Sequence, residues 1–238
     1  MELSLFSIIA LGFILGIKHA TDTDHVVAVS TIVSEYRNPL KAGMVGVSWA
    51  LGHGFTLYII GIGVLLLRLT IPEGLAHWME FAVGIWLVVL GAWILKDLFF
   101  NLVLNKLHLH AHSHSSGATH SHIHPADTGH EHQHVPSLVL RPRSIVTGII
   151  HGLAGSAALM LLVLASIRSP WEGLLYILIF DLGTILGMLA ISTIISLPFT
   201  FTARRFSHLN DGIKVLASVV SISLGILIMV ELGLPLAT

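Results

Sequence analysis

The sequence contains no cysteine and few charged residues. Of its 238 residues, 11% are charged and 54% are hydrophobic, and the formal net charge is -1. The absence of cysteine excludes disulfides, thiolate metal sites and dithiol electron transfer. A soluble domain would carry about a quarter charged residues, and a net charge so close to zero gives no reason to expect a nucleic-acid partner. The mean hydropathy of +0.87 instead predicts a protein of the lipid bilayer.

Six apolar runs are long enough to cross a membrane, because about 20 apolar residues span a bilayer. They cover residues 3–33, 42–67, 75–100, 145–167, 174–197 and 213–232. The N-terminus shows neither a basic region nor a small-residue cleavage site, so the first run is expected to be a span and not a removed signal peptide. The sequence therefore predicts an all-α polytopic membrane protein with six transmembrane helices.

Basic residues are distributed unequally between the predicted loops. Nine of them lie on the side that is reached after spans one, three and five, whereas Arg68 and Arg168 lie on the other side. We expect a multi-pass protein of the inner (plasma) membrane, whose orientation follows from this asymmetry by the positive-inside rule. Both termini are then expected outside the cytoplasm, and the long loop between spans three and four inside it.

A dense polar motif, KHATDTDH at residues 18–25, interrupts the first apolar run and holds His19, Asp22, Asp24 and His25. Ionisable groups at membrane depth are costly unless they are paired, hydrated or bound to a cation, so they are functional candidates. His and Asp are also ligands of divalent transition metals. A continuous helix over residues 3–33 would be roughly 46 Å long against a core of ~30 Å, so it must tilt, protrude or break. A break just before Asp24 and a continuous helix both remain open, as does a purely structural reading in which the carboxylates cap a helix.

Three further polar residues lie in other predicted spans: His53 between two glycines, His151, and Asp181 among Leu, Ile and Phe. Asp181 should face the interior, as a metal ligand, a proton carrier or a hydrogen-bond partner of His151. Short matches between the two ends of the chain recur at a nearly constant offset, and they pair residues 16–19 with 148–151, 51–52 with 182–183, and 90–91 with 224–225. They predict two homologous halves, residues 1–103 and 144–238. With three helices in each, the second half is inverted, as in secondary transporters that bind substrate near the midplane.

The connection at residues 104–143 differs in composition from the rest of the chain. Ten of the sixteen histidines lie here in alternation with other residues. Low apolar content predicts a disordered cytoplasmic loop, and His-rich tracts are typical of metal binding. Flexible imidazoles of this kind would capture, buffer or sense an ion without selecting it.

His19, Asp24 and His25, preceded by Lys18, resemble the signature of the nickel/cobalt transporter family. Residues 51–53, Leu-Gly-His, are similar to its second motif, with Gly54 in place of the usual serine, and the run that begins at His151 is similar to shorter relatives. Six spans and a His-rich loop resemble the export branch or the short urease-linked members. The resemblance implies transport of Ni²⁺ or Co²⁺ and leaves its direction open.

The predicted function is a secondary transporter of Ni²⁺ and/or Co²⁺, not an enzyme, with its site at the membrane midplane. The expected metal ligands are His19, Asp22, Asp24, His25, His53, His151 and Asp181. The ion is cargo, so no cofactor is expected; the partners are the ion, the lipid bilayer and, as a further candidate, a cytoplasmic metallochaperone. Two alternatives remain. An intramembrane metal-dependent hydrolase would need a general base, and the His-Glu-x-x-His match of the sequence, at residues 130–134, lies in the His-rich connection and not in a predicted span. A membrane metal sensor or chaperone would explain the loop but not the motif at residues 18–25.

Overall fold

The computed structural model describes residues 5–69, 71–104, 109–113, 119–123, 140–154 and 169–233. Within these ranges the chain forms seven α-helices and one two-stranded ribbon. In chain order they are α1 (Leu5–His19), α2 (Thr23–Val33), α3 (Pro39–Leu65), α4 (Glu73–Leu104), β1 (Leu109–Ser113), β2 (Thr119–Ile123), α5 (Pro142–Ala154), α6 (Pro170–Arg205) and α7 (Ser207–Leu232).

Four of these helices, α3, α4, α6 and α7, are long and apolar enough to cross a membrane. They confirm four of the predicted spans as helices and support the prediction of a membrane protein. Local sequence explains where two of them begin. Proline is the first residue of both α3 and α6, a position where its missing N–H costs nothing. Asn38 also caps α3, because its side-chain oxygen accepts hydrogen bonds from the amides of Leu40 and Lys41.

The other two predicted spans are not single long helices in the described part of the chain. The first is not a continuous helix, because α1 and α2 are separated by a short turn at residues 20–22. The two helices have 15 and 11 residues, so they are about 22 and 17 Å long, and neither alone crosses a core of ~30 Å. The fourth predicted span is described as far as Ala154, the end of α5. Residues 155–168 lie outside the described part of the chain, and the count of six spans stays a prediction.

The His-rich connection contains the ribbon of β1 and β2. Where the sequence predicts a disordered loop, residues 109–113 and 119–123 pair as antiparallel strands. Histidine alternates there with small or apolar residues, and this period of two matches the alternation of a strand between its two faces. The alternation that was interpreted as a flexible tract is thus also a strand pattern. Every other regular element in the described ranges is helical.

The long helices pack in a regular arrangement, with α3 against α6, α4 against α7, α1 along α6 and α5 along α3. Glycine permits the closest approaches. A side chain at Gly16 in α1 would collide with the carbonyl of Phe180 in α6, and one at Gly148 in α5 would collide with the carbonyl of Trp49 in α3. The predicted repeat aligns Gly16 with Gly148, and its register in α3 and α6 aligns Trp49 with Phe180. The two contacts therefore join positions that the predicted repeat pairs, and they hold α1 against α6 and α5 against α3.

Candidate metal centre

Three histidines from three helices meet next to the break between α1 and α2. His19 is the last residue of α1, His25 lies in the first turn of α2, and His53 lies in the middle of α3. Their exposed fractions are 5%, 1% and 0%. One ring nitrogen from each lies within 4.8 Å of the other two. We call these three residues the imidazole cluster; the break creates it, because the chain turns between His19 and His25 and brings both rings to His53.

The orientation of His19 is fixed by Asp22. The Nδ1 atom of His19 lies 2.7 Å from Oδ2 of Asp22, and an ionised carboxylate can only accept, so Nδ1 carries the hydrogen. The lone pair is therefore on Nε2, which lies 3.2 Å from Nε2 of His53. Asp22 occupies the N-cap position of α2 but makes no capping hydrogen bond with its side chain. The structural reading of this carboxylate as a helix cap is wrong, because it bonds an imidazole instead.

The spacing of the nitrogens suits a metal ion. Two nitrogens bound to one ion at about 2.0–2.1 Å are roughly 2.8–3.0 Å apart at octahedral angles and roughly 3.3–3.4 Å apart at tetrahedral angles. The separation of the two Nε2 atoms of His19 and His53, 3.2 Å, lies between these two ranges. The remaining separations, all within 4.8 Å, need only a small inward movement of a ring. A carboxylate that holds the other ring nitrogen is the arrangement that metal-binding histidines commonly have.

Trp49 holds the rings of the cluster from one side. It is completely buried, and its ring stacks on His53 with a centroid separation of 4.9 Å and an interplanar angle of 17°. It also meets the ring of His25 edge-on at 4.6 Å. The apolar run around Trp49 gives no direct indication of a role at the site. The signal was its spacing, because residues i and i+4 share one face of a helix and Trp49 precedes His53 by four.

His151, near the end of α5, lies next to the cluster. Its Nδ1 lies 2.9 Å from the carbonyl oxygen of Thr147, to which it must donate, so the lone pair is on Nε2. The ring is 5.6 Å from that of His25 and 5.7 Å from that of Trp49. His151 is therefore a neighbour of the cluster, although it is not one of the three residues whose nitrogens converge.

The other two predicted carboxylates lie at the edge of the cluster. Asp24 has Oδ1 3.3 Å from Nδ1 of His25, and its side chain is 30% exposed. Asp181 in α6 is buried, with 8% of its surface exposed. Its carboxylate packs on the α-carbon of Gly54, since a Cβ atom there would lie 2.8 Å from Asp181 Cγ. Asp181 is thus inside the bundle, as expected for a carboxylate among apolar residues, beside the residue that follows His53.

Several buried polar atoms of this region have no hydrogen-bond partner among the residues that the structure describes. They are both ring nitrogens of His25, Nδ1 of His53, Nε2 of His151 and Oδ1 of Asp181. Nδ1 of His25 does lie 3.3 Å from Oδ1 of Asp24, an ion-pair contact that does not have hydrogen-bond geometry. An unsatisfied buried polar group costs about 1–3 kcal/mol, so the fold retains this arrangement at a substantial cost in stability. Imidazole nitrogens with carboxylates nearby form a donor set for borderline divalent cations. The turn beside the cluster is exposed at Thr21, Asp22 and Thr23.

The fold and the site define a protein with several apolar helices of membrane-spanning length and buried histidines at a helix break. Over 232 residues the chain is 40% identical to the urease accessory protein UreH of Bacillus sp. (strain TB-90), a match that covers 98% of this chain and 94% of that protein. The chain belongs to the family of that protein.

Two proteins of Arabidopsis thaliana are more distant relatives. Chloroplast proteins FOR GROWTH AND FERTILITY 1 and 2 are 26% and 25% identical to the chain over 224 residues, or 92% of its length. The chain spans 58% and 55% of their respective lengths. No family model matches the chain, and no solved structure matches it.

Proposed function

We propose that this protein is a secondary membrane transporter of divalent transition-metal ions, with Ni²⁺ or Co²⁺ as cargo and His19, His25 and His53 as its ligands. The observation that carries the proposal is the convergence of these three buried imidazoles at the break between α1 and α2. Substrate sites on interrupted helices near the midplane are characteristic of secondary transporters. The corresponding glycine contacts of α1 on α6 and α5 on α3 support the predicted inverted repeat.

The surrounding residues have separate roles in this proposal. Asp22 orients His19 and keeps the lone pair on Nε2. Asp24 lies next to His25. Together with Asp22 it supplies two negative charges, which balance the two positive charges of a divalent cation at membrane depth. His151 and Asp181 flank the cluster and take the ion as it enters or leaves.

Charge and voltage bear on the direction of transport. A divalent ion that enters the cell gains about 4.6 kcal/mol per 100 mV of membrane potential, so uptake needs no further coupling. Export works against the same energy and needs a counter-ion gradient. The predicted orientation, with both termini outside the cytoplasm in the plasma membrane, places the His-rich connection on the cytoplasmic side in either case.

Two lines of similarity favour nickel as cargo. The motif from Lys18 to His25 resembles the signature of nickel/cobalt transporters. The UreH relative is named a urease accessory protein, a name that suggests a nickel-related role. Nitrogen ligands alone would also accept zinc or copper, so the geometry of the site has to provide the selectivity.

Uptake of radioactive nickel into proteoliposomes that contain the purified protein tests the proposal. His25→Ala and His53→Ala should each lower the transport rate at least about tenfold, because each removes a ligand. His77→Ala is the matched control, since His77 is exposed and distant in sequence from the cluster; its rate should equal that of the wild type. A hydrolase or a sensor would move no nickel in this assay. Transport that survives both cluster substitutions would contradict the assignment of the ligands.

A further inference from the structure

We propose that the β1–β2 ribbon is a second metal site, which takes one borderline divalent cation such as Ni²⁺ or Cu²⁺ on the face of the ribbon that holds positions His110, His112, His120 and His122. The site lies in the connection between α4 and α5 and shares no residue with the imidazole cluster. The proposal does not rest on transport, because it concerns only the ribbon's own register.

The register of the ribbon brings the four histidine positions together. His110 pairs with His122, and His112 pairs with His120. Paired residues of an antiparallel ribbon lie on the same face, as do residues two apart along one strand. All four histidine positions therefore share one face. The positions of the opposite face are Leu109, Ala111, Ser113, Thr119, Ser121 and Ile123.

The backbone spacing sets the shape of the site. Paired residues have Cβ atoms about 4.5–5.5 Å apart, and residues two apart in a strand are roughly 6.6–6.8 Å apart. Four histidine positions thus form a rectangle of about 5 by 7 Å. A tetragonal set of nitrogen ligands is the geometry that Cu²⁺ and Ni²⁺ favour.

The observed register produces this face. A slip of one residue would pair every histidine with a residue that is not histidine and would divide the histidine positions between the two faces. A two-stranded hairpin alone is marginally stable in water, so an ion bound across both strands would hold the register by mass action. The ribbon is then an ordered site that forms with its metal, and not a string of independent imidazoles.

The most specific test keeps the number of histidines constant and changes only the position of one of them. Exchanging two neighbours, His112→Ser together with Ser113→His, keeps every histidine in the chain but moves one of them to the opposite face. Ni²⁺ is titrated into the full-length protein in detergent by calorimetry. The wild type should bind one more ion than a variant with His110→Gln and His112→Gln, and the exchange should weaken that extra site at least about tenfold.

The matched control removes two histidines of the same connection outside the ribbon, with His130→Gln and His132→Gln. It should retain the extra site with wild-type affinity. Hydrogen exchange of residues 109–113 and 119–123 should slow when Ni²⁺ is added to the wild type and the control, but not to the exchange variant. If the exchange variant binds like the wild type, or if the control loses as much binding as the ribbon variant, the histidines are interchangeable and the proposal is wrong. The imidazole cluster is intact in all of these variants, so nickel transport can be measured alongside and fails or succeeds independently.

Discussion

Replacement of Asp22 should lower the affinity for a metal ion and leave the stability of the fold nearly unchanged, because the Asp22 carboxylate bonds His19 and does not cap α2. In Asp22→Ala the imidazole of His19 loses the acceptor that keeps hydrogen on Nδ1. The lone pair on Nε2 is then no longer directed at His53. Loss of such a partner typically lowers metal affinity by about 10- to 100-fold, or roughly 1.4–2.8 kcal/mol. Because the Asp22 side chain is 47% exposed, water can replace part of the bond, and we expect the lower end, about tenfold.

Asp22→Asn should have a smaller effect, since an amide oxygen still accepts from Nδ1 although the negative charge is lost. We therefore expect Ni²⁺ affinity to fall in the order wild type, Asn, Ala. The melting temperature should change little in either variant, because no capping hydrogen bond is removed, whereas a true cap would cost about 0.5–2 kcal/mol.

Competition with a coloured chelator measures the affinity, and thermal unfolding of the metal-free protein in detergent measures the stability. Asp97→Asn is the charge control, because it removes one carboxylate from α4 outside the cluster. If Asp22→Ala binds Ni²⁺ as the wild type does, the hydrogen bond does not orient a ligand. If Asn and Ala weaken binding equally, charge and not orientation is what Asp22 provides.

Three further predictions follow from packing, stacking and topology. Gly148→Ala should destabilise the protein by about 1–3 kcal/mol in thermal unfolding, because the new methyl group meets the Trp49 carbonyl; Gly74→Ala, which has open space around it, should stay within about 0.5 kcal/mol of the wild type. Nickel or cobalt should quench Trp49 fluorescence through its stacking on His53, so Trp49→Phe should lose the metal-dependent signal that Trp78→Phe retains. Single cysteines at Leu69 and Ser116 should react with an impermeant thiol reagent from opposite sides of the membrane, and labelling from the same side would refute the predicted orientation.

The sequence predicted the long helices well, because a long apolar run can be recognised along the chain without knowing what it packs against. α3, α4, α6 and α7 appear where the apolar runs are. The break at residues 20–22 remained open, since Thr21 and Asp22 are compatible both with a cap and with a polar patch on a continuous helix. Only the turn itself, in which the amide of Asp22 donates to the carbonyl of His19, decides between the two.

The residues of the site were predictable by type, but their arrangement was not. His19, His25 and His53 lie in three helices, and no sequence spacing states that the rings meet. Trp49 was missed because an aromatic residue in an apolar helix is far more often a packing residue. The ribbon was missed for a different reason: its period of two was interpreted as a low-complexity pattern, although the same alternation is typical of a strand.

The two halves of the chain pack alike and yet carry different chemistry. Under the predicted repeat, His151 corresponds to His19, and Thr184 corresponds to His53. The Thr184 hydroxyl donates to the carbonyl oxygens of Gly16 and Phe180 and so joins α1 to α6. At these two aligned positions the first half has two imidazoles, whereas the second half has one imidazole and one hydroxyl that joins two helices. Under the proposed function, a cation bound by the imidazole cluster therefore takes its ligands from the first half of the chain, while α6 of the second half supports α1.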